Sequence, residues 1–285
     1  MGEHCRPITL QDHPCFNVGA SASWGRVHLP VAPNCNIQCN FCNRMYDCVN
    51  ENRPGVTGHV YTPAEAVDFL DTVMARRSDI SVVGIAGPGD PLCEPENTLE
   101  TFRLVHARYP ELILCLSTNG LNLPGCVQEL VTVGVSHVTV TVNAVDPDIA
   151  KKVYAFIHAE GQVYEGRRAG EILLRQQEEG IRLLKQAGLT VKINTVVVPG
   201  INMDHVVAIA EKAGAWGADI MNCMAMIPVH DTPFATIASP ANEVLASVRK
   251  AAEVYVPQMW HCCRCRADAV GRLCEAAKQQ SSCIS

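Results

Sequence analysis

Cys35, Cys39 and Cys42 stand in C-x3-C-x2-C spacing within Cys35-Asn-Ile-Gln-Cys39-Asn-Phe-Cys42. From a single loop, three thiolates so spaced can hold three irons of a 4Fe–4S cluster and leave the fourth open to a substrate or cofactor. A structural zinc ion would want a fourth ligand, which this run lacks; three buried structural thiols are the other alternative. The chain has 15 cysteines in 285 residues, too few for a disulfide scaffold. Its N-terminal stretch carries charges and prolines rather than the apolar core of an export signal. A cytoplasmic, reducing location is therefore expected, where thiols serve metals more often than disulfides. Cys262 and Cys265 form a second metal-type spacing, C-x2-C, although the adjacent Cys263 leaves the register open. Taken singly, Cys115 reads as a packed thiol in an apolar strand and His28 as a structural histidine. Cys5, Cys93, Cys126, Cys223, Cys274 and Cys283 are assigned to core, surface or tail.

Strands must present these groups. Runs rich in Val, Ile, Leu and Thr predict strands at about residues 26–31, 81–86, 112–117, 136–143, 190–198 and 219–226. Helical patterns lie between them, at about 62–77, 95–109, 124–133, 147–154, 169–187 and 203–215, with a last helix at 241–255. Thr62-Pro63-Ala64-Glu65 is a helix-start signal, and Gly188 and Gly214 are placed near helix ends. Six strand–helix units predict an α/β fold, a partial (β/α)6 barrel of the TIM type; a doubly wound open sheet is the competitor. One domain is expected: an N-terminal extension over 1–25, the barrel over 26–230, and a helix with a cysteine-rich tail over 231–285. Hydrophobic residues at 48% and charged residues at 18% exclude whole-chain disorder. A formal charge of −6 offers no global attraction to nucleic acid or an anionic membrane. No apolar stretch is long enough to span a bilayer.

Chemistry in such barrels sits at the C-terminal ends of the strands. The cysteine loop follows the first strand. Gly84-Ile-Ala-Gly87-Pro88-Gly89-Asp90-Pro91 ends the second, where glycines allow close backbone approach. Ser117-Thr118-Asn119-Gly120 ends the third, Asn143 ends the fourth, and Asn194 lies in the fifth. Each polar residue alone is nearly as apt to be a turn former. Glu65 and Asp90 are acidic candidates for binding or guiding a ligand, with helix-dipole partnership the plainer alternative. Arg53, Arg264 and Arg266 are candidates for holding an anion, with solvated surface charge the alternative.

A C-x3-C-x2-C loop after the first strand of a six-unit parallel barrel resembles the radical S-adenosylmethionine (SAM) superfamily. The resemblance implies that the open iron chelates SAM, that Phe41 lies near the adenine, and that Gly87, Gly89 and Asp90 match the turn that binds the SAM amino group. Ser117, Asn119, Asn143 and Asn194 are then expected ribose or carboxylate contacts. The flanks narrow the match. His28-Leu-Pro-Val-Ala-Pro-Asn-Cys35, Asn43-Arg44-Met-Tyr46-Asp47-Cys48 and Cys262-Cys263-Arg264-Cys265-Arg266-Ala267-Asp268-Ala269-Val270-Gly271 closely resemble the NifB family of nitrogenase cofactor maturases, in its short form. That resemblance covers about residues 15–273. It implies a cytoplasmic enzyme that takes two further 4Fe–4S clusters, K1 and K2, as substrates. Cys15, His28 and Cys48 match the K1 ligands; Cys115, Cys262 and Cys265 match the K2 ligands. The clusters would be fused around a SAM-derived carbide with an added sulfur, giving an 8Fe–9S–carbide product called NifB-co. Implied partners are iron–sulfur cluster donors, a reductant such as ferredoxin, and a carrier or scaffold protein that accepts the product, since the extra carrier-type domain of longer members is not expected here. Two alternatives stand beside this: a radical SAM enzyme with auxiliary clusters acting on a peptide or small molecule, and a non-enzymatic iron–sulfur scaffold.

Overall fold

A computed structural model describes residues 7–50, 52 and 55–273 of the chain. Ten strands occur among them: β1 (Gly25–His28), β2 (Ile37–Cys39), β3 (Ile80–Ile85), β4 (Ile113–Thr118), β5 (Val135–Thr141), β6 (Tyr154–Ala159), β7 (Gln162–Glu165), β8 (Thr190–Val197), β9 (Ile220–Ala225) and β10 (Val270–Arg272). The six predicted strands form one sheet in the order β1-β3-β4-β5-β8-β9, parallel throughout, and β10 adds to β1 as an antiparallel edge. The curled sheet is a partial barrel, as expected; the doubly wound alternative fails because the strands run in chain order without a reversal.

A short helix, α1 (Val18–Ser21), precedes β1, and helices follow between later strands: α2 (Pro63–Met74), α3 (Pro95–Arg108), α4 (Leu123–Thr132), α5 (Pro147–Val153), α6 (Gly166–Gln186), α7 (Val206–Trp216) and α8 (Asn242–Ala252). Leu70, Phe102, Leu130, Leu184 and Ile209 from this layer pack with Val83, Leu114, Val138 and Val191 of the sheet, all buried. Burying such side chains is worth about 1.5–3 kcal/mol each and fixes which strand face looks inward.

α2 begins as its sequence predicts. Glu65 N–H donates to Thr62 Oγ1, and Glu65 Oε2 accepts from the Thr62 backbone N–H at 2.8 Å, a reciprocal capping box. The Glu65 carboxylate is thus engaged, through Oε2, at an exposed helix start. Gly188 follows α6 in the left-handed region, φ 81°. Gly214 does not stop α7. That helix runs to Trp216, and Gly217 (φ 89°) caps it. Gly214 instead lets the backbone pass close to Tyr255, whose carbonyl oxygen would lie 2.7 Å from an added Cβ.

Two features are invisible in the hydrophobic pattern. β2 pairs antiparallel with β6, and β6 with β7, making a small second sheet. It carries its own apolar cluster, including Ile37, Phe41, Val49, Ile157 and Phe234. The cysteine loop is therefore anchored by a strand. The tail, through β10, contributes an edge to the core sheet rather than hanging from it.

Candidate functional site

Side chains alternate faces along a strand, and the sheet register aligns the inward ones into rows. His28 on β1 stands opposite Gly84 on β3, and Gly84 opposite Cys115 on β4. The next rows toward the C-terminal ends of the strands are Ser117–Thr139–Lys192 and Thr141–Asn194–Asn222. Most of these residues line one cavity with an empty volume of about 610 Å³, its mouth included. The N-terminal extension adds His13 and Cys15 to its wall, and the tail adds Cys262 and Cys265. A bond from His261 Nε2 to the Pro14 carbonyl, 3.0 Å, ties these two extensions together.

Gly84 has a steric job: a Cβ there would lie 3.1 Å from His28 Cδ2 and 3.4 Å from Nε2. Opposite Arg266 O at 3.0 Å, His28 Nδ1 acts as the donor, which leaves the Nε2 lone pair over Gly84. Burial, reinforced by Arg26, pushes the imidazole down to about 4. A neutral ring with one nitrogen fixed by a carbonyl is the form that ligates metal.

The thiols fall into two neighbourhoods. Burial pushes Cys15 up to about 11, with Lys192 pulling the other way and the thiols Cys265 and Cys262 adding to the rise. Arg26 Nη2 donates to Cys265 Sγ at 2.8 Å, and Asn222 Nδ2 donates to Cys262 Sγ at 3.4 Å. Cys262 and Cys265 are free thiols on the cavity wall, which Cys263 also lines. The second neighbourhood is the loop. Burial raises Cys39 well above the usual thiol range, and Cys42, Cys48 and Cys35 push it further. Cys35 is pushed up to about 12 by burial and by Asp90. Burial raises Cys42 as well, against the pull of Arg44. Asn50 Nδ2 lies 3.6 Å from Cys39 Sγ and 3.7 Å from Cys48 Sγ. Asn119 Nδ2 lies 3.8 Å from Cys35 Sγ.

Five of the six predicted substrate-cluster ligands, Cys15, His28, Cys115, Cys262 and Cys265, line this one cavity. Cys48 is absent from its wall and sits beside Cys39. Sequence alone could not bring them together, because that depends on how both extensions fold over the strands.

The donor chemistry fits iron–sulfur clusters. Among the described residues no three His, Cys, Asp or Glu side chains close around a single ion, whereas a 4Fe–4S cluster spreads its thiolates over the corners of a cube. Amide and guanidinium donors already aimed at Cys35, Cys39, Cys262 and Cys265 are the outer hydrogen bonds that bound thiolates use.

The glycine turn serves the loop by contact. A Cβ on Gly89 would sit 2.0 Å from Asn34 O, while Gly89 N–H donates to Ala32 O at 2.6 Å. The close approach it permits is thus to the chain leading into Cys35. Gly87 holds φ 141°. Asp90 is 5% exposed and accepts from Thr118 Oγ1 at 2.9 Å, Leu92 N at 2.9 Å and Asn119 N at 2.5 Å. Both its oxygens are occupied by the protein, so it organises the turn and the end of β4. Asn143 is buried: its Oδ1 accepts from Val196 N at 2.8 Å and its Nδ2 donates to Asn50 Oδ1 at 3.0 Å. Phe41 is wholly buried in the second apolar cluster, its ring 6.4 Å from that of Phe234. Asn119 lies at the cysteine loop, whereas Ser117 and Asn194 line the thiol-rich cavity. Arg264 donates to the Ala225 and Val49 carbonyls, 2.8 Å each, and Arg266 to Asp268 at 2.9 Å; both hold the tail in place. Arg53, Cys5, Cys274 and Cys283 lie outside the described residues. Cys93, Cys126 and Cys223 stand apart from the thiol groups, and Cys126 and Cys223 are core.

Sequence reasoning missed His13, Arg26, Arg44, Asn50, Lys192 and Asn222. Only Lys192, a charge within an apolar strand, left a local signal.

Comparison with known proteins gives the class first. Residues 29–213, more than half the chain, match the Radical SAM superfamily, and solved radical SAM folds superpose on it. The SAM-bound Streptococcus suis SuiB structure matches with TM-score 0.55 at 14% identity, covering 81% of this chain and 47% of that one. Methylornithine synthase (PylB) matches with TM-score 0.52 at 16% identity, covering 82% and 71%. The chain is in class a radical SAM enzyme, a class that binds a 4Fe–4S cluster and SAM. Within it, the chain belongs to the NifB family. It is 46% identical over 93% of its length to the "FeMo cofactor biosynthesis protein NifB" of Chlorobaculum tepidum, and covers 62% of that protein. The Klebsiella pneumoniae protein of the same name is 47% identical over 94% of this chain, with 58% of its own length covered. That of Methanocaldococcus infernus is 42% identical, with 93% of this chain and 87% of that protein covered. The chain thus spans about 60% of the length of the first two relatives and most of the third. Among the described residues no helix is long and apolar enough to cross a membrane.

Proposed function

We propose that this chain builds the precursor of the nitrogenase FeMo cofactor by fusing two 4Fe–4S substrate clusters, K1 and K2, with a SAM-derived carbide and an added sulfur to give NifB-co. The observation that carries this is the second donor set. Beyond the three loop cysteines, one cavity collects Cys15, His28, Cys115, Cys262 and Cys265, more soft donors than a SAM-binding cluster needs.

A 4Fe–4S cluster on Cys35, Cys39 and Cys42, when bound, supplies the electron that cleaves SAM and the open iron that holds it. The chain's own residues do the rest. Arg44, beside Cys35, Cys42 and Cys48, balances thiolate charge at the loop. Asp90 and Gly89 lock the turn against the loop base. Cys15, His28 and Cys48 would hold K1, and Cys115, Cys262 and Cys265 would hold K2, the sets that the family resemblance implies. Three donors per substrate cluster leave an iron face open for fusion. In this reading one SAM gives a methyl group to a cluster sulfide, and a second yields the 5′-deoxyadenosyl radical that abstracts hydrogen from it. Ligation requires deprotonated thiols, and burial holds Cys15, Cys35 and Cys39 protonated when empty; loading therefore releases protons. Cluster donors, a ferredoxin-type reductant and an acceptor for the product are the partners this function requires.

The test is anaerobic. The protein is reconstituted with iron and sulfide and given dithionite and methyl-labelled SAM. Both 5′-deoxyadenosine and S-adenosylhomocysteine are expected, with labelled carbon in an extractable iron–sulfur product and none from Cys35→Ala. 5′-Deoxyadenosine without label in the cluster would leave a radical enzyme of another kind. Neither product, with clusters bound, would leave a scaffold.

A further inference from the structure

Asn50 is 5% exposed, and its side-chain amide lies against two cysteines of different donor sets. A relay that starts from the backbone fixes which way that amide points. Val196 N–H, on β8, can only donate, so the Asn143 atom it meets at 2.8 Å is the oxygen, Oδ1. Asn143 Nδ2 is then turned toward Asn50 and donates to its Oδ1 at 3.0 Å. That leaves Asn50 Nδ2, with two N–H bonds, 3.6 Å from Cys39 Sγ and 3.7 Å from Cys48 Sγ. Asn143 is wholly buried, and its backbone carbonyl accepts from Asn202 Nδ2 at 2.9 Å, so the relay is held at its root.

The segment that carries Cys48 and Asn50 is pinned as well. Cys48 N–H donates to Pro88 O of the glycine turn at 2.9 Å, and the Val49 carbonyl accepts from Arg264 Nη2 of the tail at 2.8 Å. Among the described residues, Asn50 Nδ2 has these two sulfurs for hydrogen-bond partners and no oxygen. A neutral thiol is a weak acceptor, so a buried amide that directs both protons at thiols is poorly satisfied. An ionised sulfur accepts far more strongly. The arrangement is therefore complete only when both sulfurs are thiolates, as cluster ligands are. Cys39 belongs to the loop cluster and Cys48 to the set that would hold K1, so a single nitrogen touches a ligand of each.

We propose that Asn50 is a positioning residue that bridges the SAM-binding cluster and the K1 cluster, giving one N–H to the Cys39 thiolate and the other to the Cys48 thiolate. The bridge fixes how close these two ligands stand, and with them the two clusters. It also tunes both. Hydrogen bonds to ligand sulfurs draw off negative charge, favour the reduced state and raise the reduction potential. Asn50 thus ties the cluster that cleaves SAM to one of the clusters acted upon. The inference rests on the two-cluster reading above.

The experiment reads iron per chain and an EPR-monitored redox titration after anaerobic reconstitution, in two backgrounds that separate the clusters. Cys15→Ala with Cys115→Ala removes a donor from each substrate set and leaves only the loop cluster. Cys35→Ala with Cys42→Ala removes the loop cluster and keeps both substrate sets, with Cys39 and Cys48 in place. Asn50→Leu is added to each, and thermal melting of the apo protein checks the fold. In the first background the loop cluster should keep its iron and titrate at a more negative midpoint. In the second, one of the two substrate clusters should shift the same way. Asn50→Asp still offers Asn143 an oxygen but has no side-chain N–H; it should lower the same two midpoints, and it replaces Asn50→Leu if that variant melts early. An unmoved midpoint in either background overturns the bridge, since Asn50 would then serve one sulfur or none. A second background that folds but binds no iron would instead overturn the two-cluster reading, whatever the loop cluster does in the first.

Discussion

Replacing Gly89 with alanine isolates the contact on which the loop rests. The new Cβ would lie 2.0 Å from Asn34 O, 2.5 Å from Asn34 C and 2.9 Å from Pro33 C. All three are backbone atoms, so no side chain can rotate away. Relief requires the turn and the loop base to separate, which breaks Gly89 N–H···O Ala32 (2.6 Å) and Asp90 N–H···O Asn34 (2.7 Å). Two buried hydrogen bonds at about 1 kcal/mol each, plus about 1–3 kcal/mol of overpacking, sum to roughly 3–5 kcal/mol. The stiffer unfolded chain returns about 0.4–1 kcal/mol. A net loss near ~3 kcal/mol should lower Tm by on the order of 6 °C or more. The loop cluster should bind weakly even below that Tm, because Cys35 directly follows the displaced Asn34. Gly58→Ala, with open space around its Cβ, is the matched control and should change stability by less than about 0.5 kcal/mol. The assay is thermal melting of the apo protein with iron content after reconstitution. A Gly89→Ala protein that melts and loads like Gly58→Ala would show that the close contact does not hold the loop.

Further outcomes follow from other contacts. Gly84→Ala inserts a methyl group 3.1 Å from the His28 ring; loop-cluster loading should survive while iron in the cavity falls, and unchanged cavity iron would argue against His28 as a ligand. Asp90→Asn leaves the Thr118 and Asn119 donors with poorer acceptors and should cost about 1–3 kcal/mol, checked by urea denaturation. His137, 2% exposed, is pushed down to about 4 by burial and then by Lys192. Its unfolded value is higher, so the unfolded state binds more protons between the two. Stability is then complete above about pH 6.5 and is lost as pH falls toward 4, by roughly 2 kcal/mol at pH 5. His137→Phe should flatten that slope in apo-protein melts, and an unaltered slope would assign it elsewhere. Cys126→Ala, in the core away from both donor groups, should leave iron content at the wild-type value while lowering Tm slightly.

Much of the molecule was legible in residue order. Six apolar strands and their intervening helices announce a parallel barrel because strands buried on both faces cannot hide their composition. Cys35, Cys39 and Cys42 are readable because their spacing within one loop is itself the geometry of a cluster site. The short strands β2 and β10, three residues each, lack a pattern of their own; partners supplied by β6 and β1 make them strands. Glu65 shows the limit of residue type as evidence, since the same carboxylate serves a capping box as readily as a ligand.

Local sequence alone also determined that Cys262 or Cys263 would pair with Cys265 in a tail hook. Only the tertiary structure decided that Cys15, His28, Cys115 and this hook line one cavity, and that Cys48 sits beside Cys39. Those groupings join residues up to 250 positions apart, the separation of Cys15 from Cys265. They are set by strand register and by the folding of both extensions over one barrel mouth. Spacing along a chain reports only what a single loop can span. Lys192, Asn194 and Asn222 reach the same wall in the same way, from strands that no continuous segment builds.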